Sequence, residues 1–210
     1  IGIRIFDTAA RKTFLVGTGK EHGNPRKNQQ YKYDQNSFIP FRHYLHPGLP
    51  VRSVQQAYYS GFNSEVTARL SMFGWGWHHE AGIQLLRLIL SGAFDKYPNL
   101  QVISGHWGEM LPFWLQRLDD SLPQAATGLK RTLTQTFQEQ VYVTPSGMLT
   151  LPHFQFIYGL MGPQRILFSV DYPYQTLDGI QEFIQSLSIS EEDKEAIAFH
   201  NAERLLQIKS

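Results

Sequence analysis

The chain has 210 residues, enough for one sizeable core or two small ones, and no cysteine, which removes disulfides, thiol nucleophiles and thiolate zinc sites. Apolar residues make up 42% and charged residues 18%, a globular rather than a disordered balance, and a formal net charge of +1 with no basic run excludes a nucleic-acid footprint. No apolar run reaches the roughly 18 residues of a membrane span and no secretory signal is recognisable at the start, so a cytoplasmic protein with neither a nucleic-acid nor a membrane partner is expected.

Ile1-Gly2-Ile3-Arg4-Ile5-Phe6 alternates as a short strand does, and Thr13 to Val16 offers a second. From Gly17 to Asn36 the chain is polar without apolar period and reads as loop. Its character changes at Ser37: Phe38, Ile39 and Phe41 lead into His43-Tyr44-Leu45-His46, which stops at Pro47-Gly48. That is a short strand with His46 as its last residue. Val51 to Phe73 reads as loop with one or two short helices. The Gly-punctuated run Gly74-Trp75-Gly76-Trp77 then enters His78-His79-Glu80 and a helix through Leu90, closed by Ser91-Gly92.

Leu100 to Ile103 is an apolar strand that stops at Ser104-Gly105. His106 follows at once, then a glycine turn and a helix opening with Glu109. Glu109 to Asp120 is amphipathic, and a polar helical stretch runs to about Gln140. Val141 to Thr144 is a strand closed by Pro145-Ser146-Gly147, and Leu149 to Leu160 is a candidate helix. Arg165 to Val170 has the strongest strand signal in the chain and ends at Asp171-Tyr172-Pro173. Asp178 to Leu187 is helical, and Ser190 with Glu191, Glu192 and Asp193 caps a last helix to about Gln207.

From residue 43 onward strand and helix alternate, which predicts a parallel sheet covered by helices. A full eight-strand barrel typically needs about 250 residues, so this chain is either an incomplete barrel or an open α/β sheet. In both, His46, His106 and Asp171 stand at the C-terminal strand ends and share one face. Imidazole and carboxylate suit zinc, manganese or iron. A metal there would polarise a substrate carbonyl or carboxylate, or lower the pKa of a bound water towards about 7. A histidine that is not a ligand can move a proton, and Glu109 can accept the ring N–H of His106 and fix its tautomer.

Each residue also has an ordinary role to set against this one. A lone histidine after a strand is commonly a hydrogen-bonded surface or core residue, and Asp171 before Tyr-Pro suits a turn or cap. Within His78-His79-Glu80 adjacent side chains point different ways, so at most one faces the site. Trp75 and Trp77 read as packing, and His22, His43, His153 and His200 as structural or solvated.

Taken as an ordered set, several runs resemble the amidohydrolase-related metal-dependent TIM-barrel family, in the branch of aminocarboxymuconate semialdehyde decarboxylase and the γ-resorcylate-type decarboxylases. They are Tyr44-Leu45-His46-Pro47, Leu86-Arg87-Leu88 with Ser91-Gly92-Ala93-Phe94-Asp95, Gly105-His106-Trp107-Gly108-Glu109 with Leu111-Pro112-Phe113, Val141-Tyr142-Val143-Thr144-Pro145-Ser146-Gly147, and Phe168-Ser169-Val170-Asp171-Tyr172-Pro173-Tyr174. Asn201-Ala202-Glu203-Arg204-Leu205-Leu206 looks like the closing helix.

The resemblance covers roughly residues 37 to 208. It divides the chain into an atypical segment over 1–36 and a barrel domain over 37–210. It implies an α/β, TIM-barrel-like fold, incomplete at the N-terminus. His46 and Asp171 would be metal ligands, His106 the catalytic histidine and Glu109 its support. The implied metal is zinc, with manganese the alternative, and the implied chemistry is decarboxylation or hydrolysis of an aromatic or unsaturated carboxylic acid. Trp75, Trp77 and Tyr174 would line the pocket.

One departure stands against these matches. The family's first strand carries a His-x-His or Glu-x-His ligand pair; here Glu21-His22 is adjacent, in a polar segment. The chain therefore reads as a barrel without its N-terminal strands, or as part of a longer chain. Open strand edges point to a homo-oligomer, a dimer as in the family. The alternative function is a non-catalytic barrel remnant with a defective metal site.

Overall fold

Short strands form the centre of the structure, a computed structural model that describes residues 2–7, 12–17 and 42–208. They are β1 (Gly2–Asp7), β2 (Lys12–Gly17), β3 (Arg42–Leu45), β4 (Gln101–Ser104) and β5 (Val141–Val143), ordered β2-β1-β3-β4-β5 in one sheet. β3, β4 and β5 run parallel, with Tyr44 opposite Ile103 and Ile103 opposite Tyr142. Both expected N-terminal strands are present. They form an antiparallel hairpin, and β1 lies antiparallel on the edge of β3, pairing Phe6 with Tyr44. The loop expected over 17–36 lies, beyond Gly17, outside the described residues.

Period-2 alternation sorts the strand side chains onto two faces. Leu45, Val102, Val141, Val143 and Ile166 join the main core with Leu85, Ile89, Phe94, Leu133, Phe137 and Ile157. Ile103, Tyr142 and Leu167 face the other way and pack with Leu205 and Tyr44. With both faces occupied, the buried middle of the sheet is apolar, as in Val102-Ile103 of β4 and the whole of β5, while Arg42, Gln101 and Ser104 stand at strand ends. Fully buried side chains such as Leu85 and Phe137 each contribute about 2–3 kcal/mol by leaving water.

The strongest expected strand is corrected. Arg165 to Val170 supplies only one parallel bridge, Val143 to Ile166, followed by Leu167 N–H donating to the Val143 carbonyl at 2.9 Å. The ladder stops because β5 runs into Pro145, which offers no N–H. Phe168 N–H turns instead to the carbonyl of Ile197, at 3.0 Å. Asn201, fully buried at the start of the last helix, holds this stretch by donating to the carbonyls of Pro163 and Ile166, both at 2.8 Å.

The helices begin and end where their caps dictate. The helix Gly76–Leu90 buries Ala81, Leu85 and Ile89 at four-residue spacing and stops at Gly92, whose φ of +73° suits glycine. Thr132 and Gln135 form a reciprocal capping box before the helix Leu133–Gln140. Ser190 caps the helix Glu191–Glu195 by accepting from Asp193 N–H at 3.1 Å. Among the described residues no helix is long and apolar enough to cross a membrane.

Candidate active site

β4 delivers the chain to Gly105, and the helix expected to open at Glu109 does not form there. Instead His106, Trp107, Gly108, Glu109 and Met110 all take positive φ, at 44°, 58°, 85°, 53° and 66°, before a regular helix starts at Leu111. Left-handed backbone at non-glycine residues costs on the order of 1 kcal/mol each and persists only where the surroundings enforce it. Here Trp107 enforces it: its N–H donates to the Thr144 carbonyl at 2.8 Å and its indole N–H to the Met148 carbonyl at 2.7 Å. Gly105 is needed for space, since a Cβ there would sit 3.0 Å from Ser146 Oγ and 3.2 Å from Tyr44 Oη. Ser146 and Asp171, after the next two strand stretches, also take positive φ, so backbone strain gathers at the C-terminal strand ends.

The turn folds Glu109 back beneath His106. Glu109 is buried with no side-chain exposure, and its Oε1 accepts from His106 Nδ1 at 2.7 Å. That contact places the N–H on Nδ1 and turns Nε2 to the open side. Asp171 Oδ2 lies 4.0 Å from His106 Nε2, so these two strand ends do converge. His46 directly follows β3 and is exposed, with Nδ1 2.7 Å from the Pro47 carbonyl, and it forms no ion pair with Asp171.

The structure adds His78. Its Nδ1 is 2.9 Å from Glu109 Oε2, its Nε2 is 2.9 Å from the Phe73 carbonyl, and its ring stands edge-on to His106 with centroids 4.4 Å apart. Hydrogen bonding to Glu109 raises the His78 pKa above the ordinary 6.5; burial opposes the rise, and the charge of Glu109, the Phe73 carbonyl and the charge of Asp171 reinforce it. One residue of the His78-His79-Glu80 run was expected at most to face the site, and it is this one. His79 turns to the Tyr59 hydroxyl at 3.5 Å, and Glu80 accepts from Gln84 at 2.7 Å. A helical signal was present in the sequence: His78 lies four residues before Gly82, which shares the buried stripe with Leu85 and Ile89.

Trp77 packs edge-on against Phe73, as expected of a packing residue, whereas Trp75 is 47% exposed and is corrected to a surface position. Tyr174 is 81% exposed and builds no pocket wall. Below the strand ends, Thr144, Ser146 and Ser169 link their hydroxyls, with Tyr44 reaching Ser146 at 3.4 Å.

His78, His106 and Glu109 bring their donor atoms within 4.8 Å of one another, a spacing compatible with a metal ion. Both Glu109 oxygens are already engaged by ring nitrogens, so the three form a hydrogen-bonded unit. The donors left over, His46 Nε2 and the partly exposed Asp171 carboxylate, are the hard and borderline types that zinc and manganese accept.

A histidine–carboxylate cluster at the C-terminal ends of three parallel strands is the arrangement of a partial barrel of the α/β class. Residues 40–208 match the family described as amidohydrolase, and the chain belongs to that family. It is 36% identical over 171 residues to decarboxylase orsB of Emericella nidulans, covering 79% of this chain and 52% of that protein. Among solved structures it is similar to 5-carboxyvanillate decarboxylase LigW of Sphingomonas paucimobilis, with a TM-score of 0.71 and 31% identity over 81% of this chain and 50% of the other. A manganese-bound dihydroxybenzoic acid decarboxylase of Polaromonas matches with a TM-score of 0.70 and 33% identity, covering 80% of this chain and 50% of that one. The chain thus spans about half the length of the relatives it matches.

Proposed function

We propose that this chain serves a metal-dependent, non-oxidative decarboxylation of an aromatic carboxylic acid, with His106 as the proton donor. The observation that carries this reading is the orientation of His106: Glu109 holds Nδ1 at 2.7 Å, leaving Nε2 directed at the Asp171 side. The names of the relatives support the substrate class, since they include γ-resorcylate and 5-carboxyvanillate decarboxylases.

His46 and Asp171 would hold the metal, manganese as in the Polaromonas structure or zinc. When bound, it would supply positive charge to the carboxylate or hydroxyl oxygens of the substrate. The protein's own part is proton handling. As the bond from ring carbon to carboxylate breaks, carbon dioxide leaves and the electron pair stays on the ring carbon. His106 Nε2–H delivers a proton to that carbon, and the imidazole recovers one from solvent. Glu109 keeps the donating nitrogen on the open side through both steps.

The test is metal content by elemental analysis, before and after chelator dialysis, with carbon dioxide release from γ-resorcylate or 5-carboxyvanillate. About one ion per chain is expected, lost in His46→Ala and Asp171→Ala. Turnover should fall about 10²–10⁴-fold in His106→Ala. A chain that takes up no metal in excess metal and releases no carbon dioxide would overturn the proposal in favour of a non-catalytic family member.

A further inference from the structure

We infer that His78 is a positioning residue: a doubly protonated imidazole that supplies the counter-charge of Glu109 and thereby fixes which Glu109 oxygen faces His106. The role for the reaction rests on the decarboxylase reading above; the charge state of His78 does not.

Hydrogen-bond inventory carries the inference. Neutral imidazole has one N–H donor and one lone pair. The two nitrogens of His78 each stand 2.9 Å from an acceptor, the Glu109 carboxylate on one side and the Phe73 carbonyl on the other. A neutral ring would turn a lone pair towards one of those oxygens. The imidazolium donates to both.

Glu109 needs that charge. A carboxylate with no side-chain exposure is costly unless it is paired and hydrogen-bonded. The titratable groups facing His78 among the described residues are Glu109 and His106, with Asp171 acting through space. With His78 charged and 2.9 Å away, the Glu109 carboxylate has a counter-charge of its own.

The geometry also positions. Each Glu109 oxygen takes one ring nitrogen, Oε1 from His106 and Oε2 from His78, so the carboxylate cannot rotate without breaking a contact. His78 is itself anchored by the Phe73 carbonyl in the first turn of its helix. Rotation of Glu109 would release His106 Nδ1 and let the imidazole exchange tautomers.

The experiment is nitrogen-15 spectroscopy of the full chain labelled at histidine, at about pH 7.5, one unit above an ordinary imidazole. Wild type should show His78 protonated on both nitrogens and a single His106 signal with a proton on Nδ1. His78→Gln keeps an N–H donor but no charge, and His78→Phe keeps neither. His106 should become a mixture of tautomers in His78→Phe, with partial recovery in His78→Gln. On an aromatic acid that the wild type turns over, kcat should fall about tenfold in His78→Gln and about a hundredfold in His78→Phe, with KM changed less than about threefold. A purely structural role would lower stability and leave the tautomer of His106 unchanged. Should His78→Phe not fold, His78→Gln and the wild-type spectrum decide. His78 with one ring proton at that pH, the other resting on Glu109, would overturn the inference, as would an unchanged His106 signal and kcat in a folded His78→Gln. Without turnover of any acid, the spectra by themselves decide the charge state of His78 and its hold on the His106 tautomer.

Discussion

Replacing Gly82 with alanine puts a methyl group where the carbonyl oxygen of Glu109 already stands. A Cβ on Gly82 would lie 2.6 Å from that oxygen and 3.8 Å from the Glu109 Cβ. The obstacle is backbone on both sides, so no flexible side chain can yield. Ordinary contact requires the gap to open by roughly 0.8 Å. Two terms then compete in stability. Alanine in place of a mid-helix glycine gains about 1 kcal/mol, while forcing the helix away from the turn costs about 1–3 kcal/mol. The net loss is about 0–2 kcal/mol, which the fold tolerates.

The site does not tolerate it. Glu109 meets His106 at 2.7 Å and His78 at 2.9 Å, and a displacement near 0.8 Å carries at least one contact out of hydrogen-bonding range. Misplacement on that scale costs about 10²-fold in rate. Gly82→Ala should therefore keep a cooperative urea transition while losing the Nδ1 proton signal of at least one of His78 and His106, together with about 10²-fold in carbon dioxide release. A folded Gly82→Ala chain with both signals and its rate intact would refute the reasoning that the helix Gly76–Leu90 sets the position of Glu109.

Stability should also respond to pH through His78. Its pKa is raised on folding, chiefly by the bond to Glu109, so its contribution is fully present below the unfolded value of 6.5 and is lost as pH rises through the raised folded value. Urea midpoints from about pH 6 to 9 should fall in wild type relative to His78→Gln; parallel curves would count against a raised value. Away from the site, Thr132→Ala removes half of the capping box and should cost about 1 kcal/mol by urea titration, with the histidine spectra unchanged. A change in those spectra would mean that the site depends on the helix Leu133–Gln140 more than its contacts indicate.

By itself the sequence determined the parallel α/β class, the strand ends at His46 and His106, the caps at Gly92 and Ser190, and the pairing of His106 with Glu109. All of these are local signals: a run of β-branched residues, a glycine after a periodic stripe, two groups three residues apart. Tertiary structure decided the rest. Arg165 to Val170 has the composition of a strand, yet forms one bridge because its neighbour β5 meets Pro145, a feature of the partner rather than of the stretch itself. The helix expected at Glu109 gives way to left-handed backbone because Trp107 finds its hydrogen-bond partners on Thr144 and Met148. His78 joins Glu109 across 31 residues. The sequence allowed at most one of His78, His79 and Glu80 to face the site, and no period within the helix says which one or which carboxylate it will meet. That is settled where Gly82 lets the helix close on the turn after β4, and packing at that distance is a property of the fold.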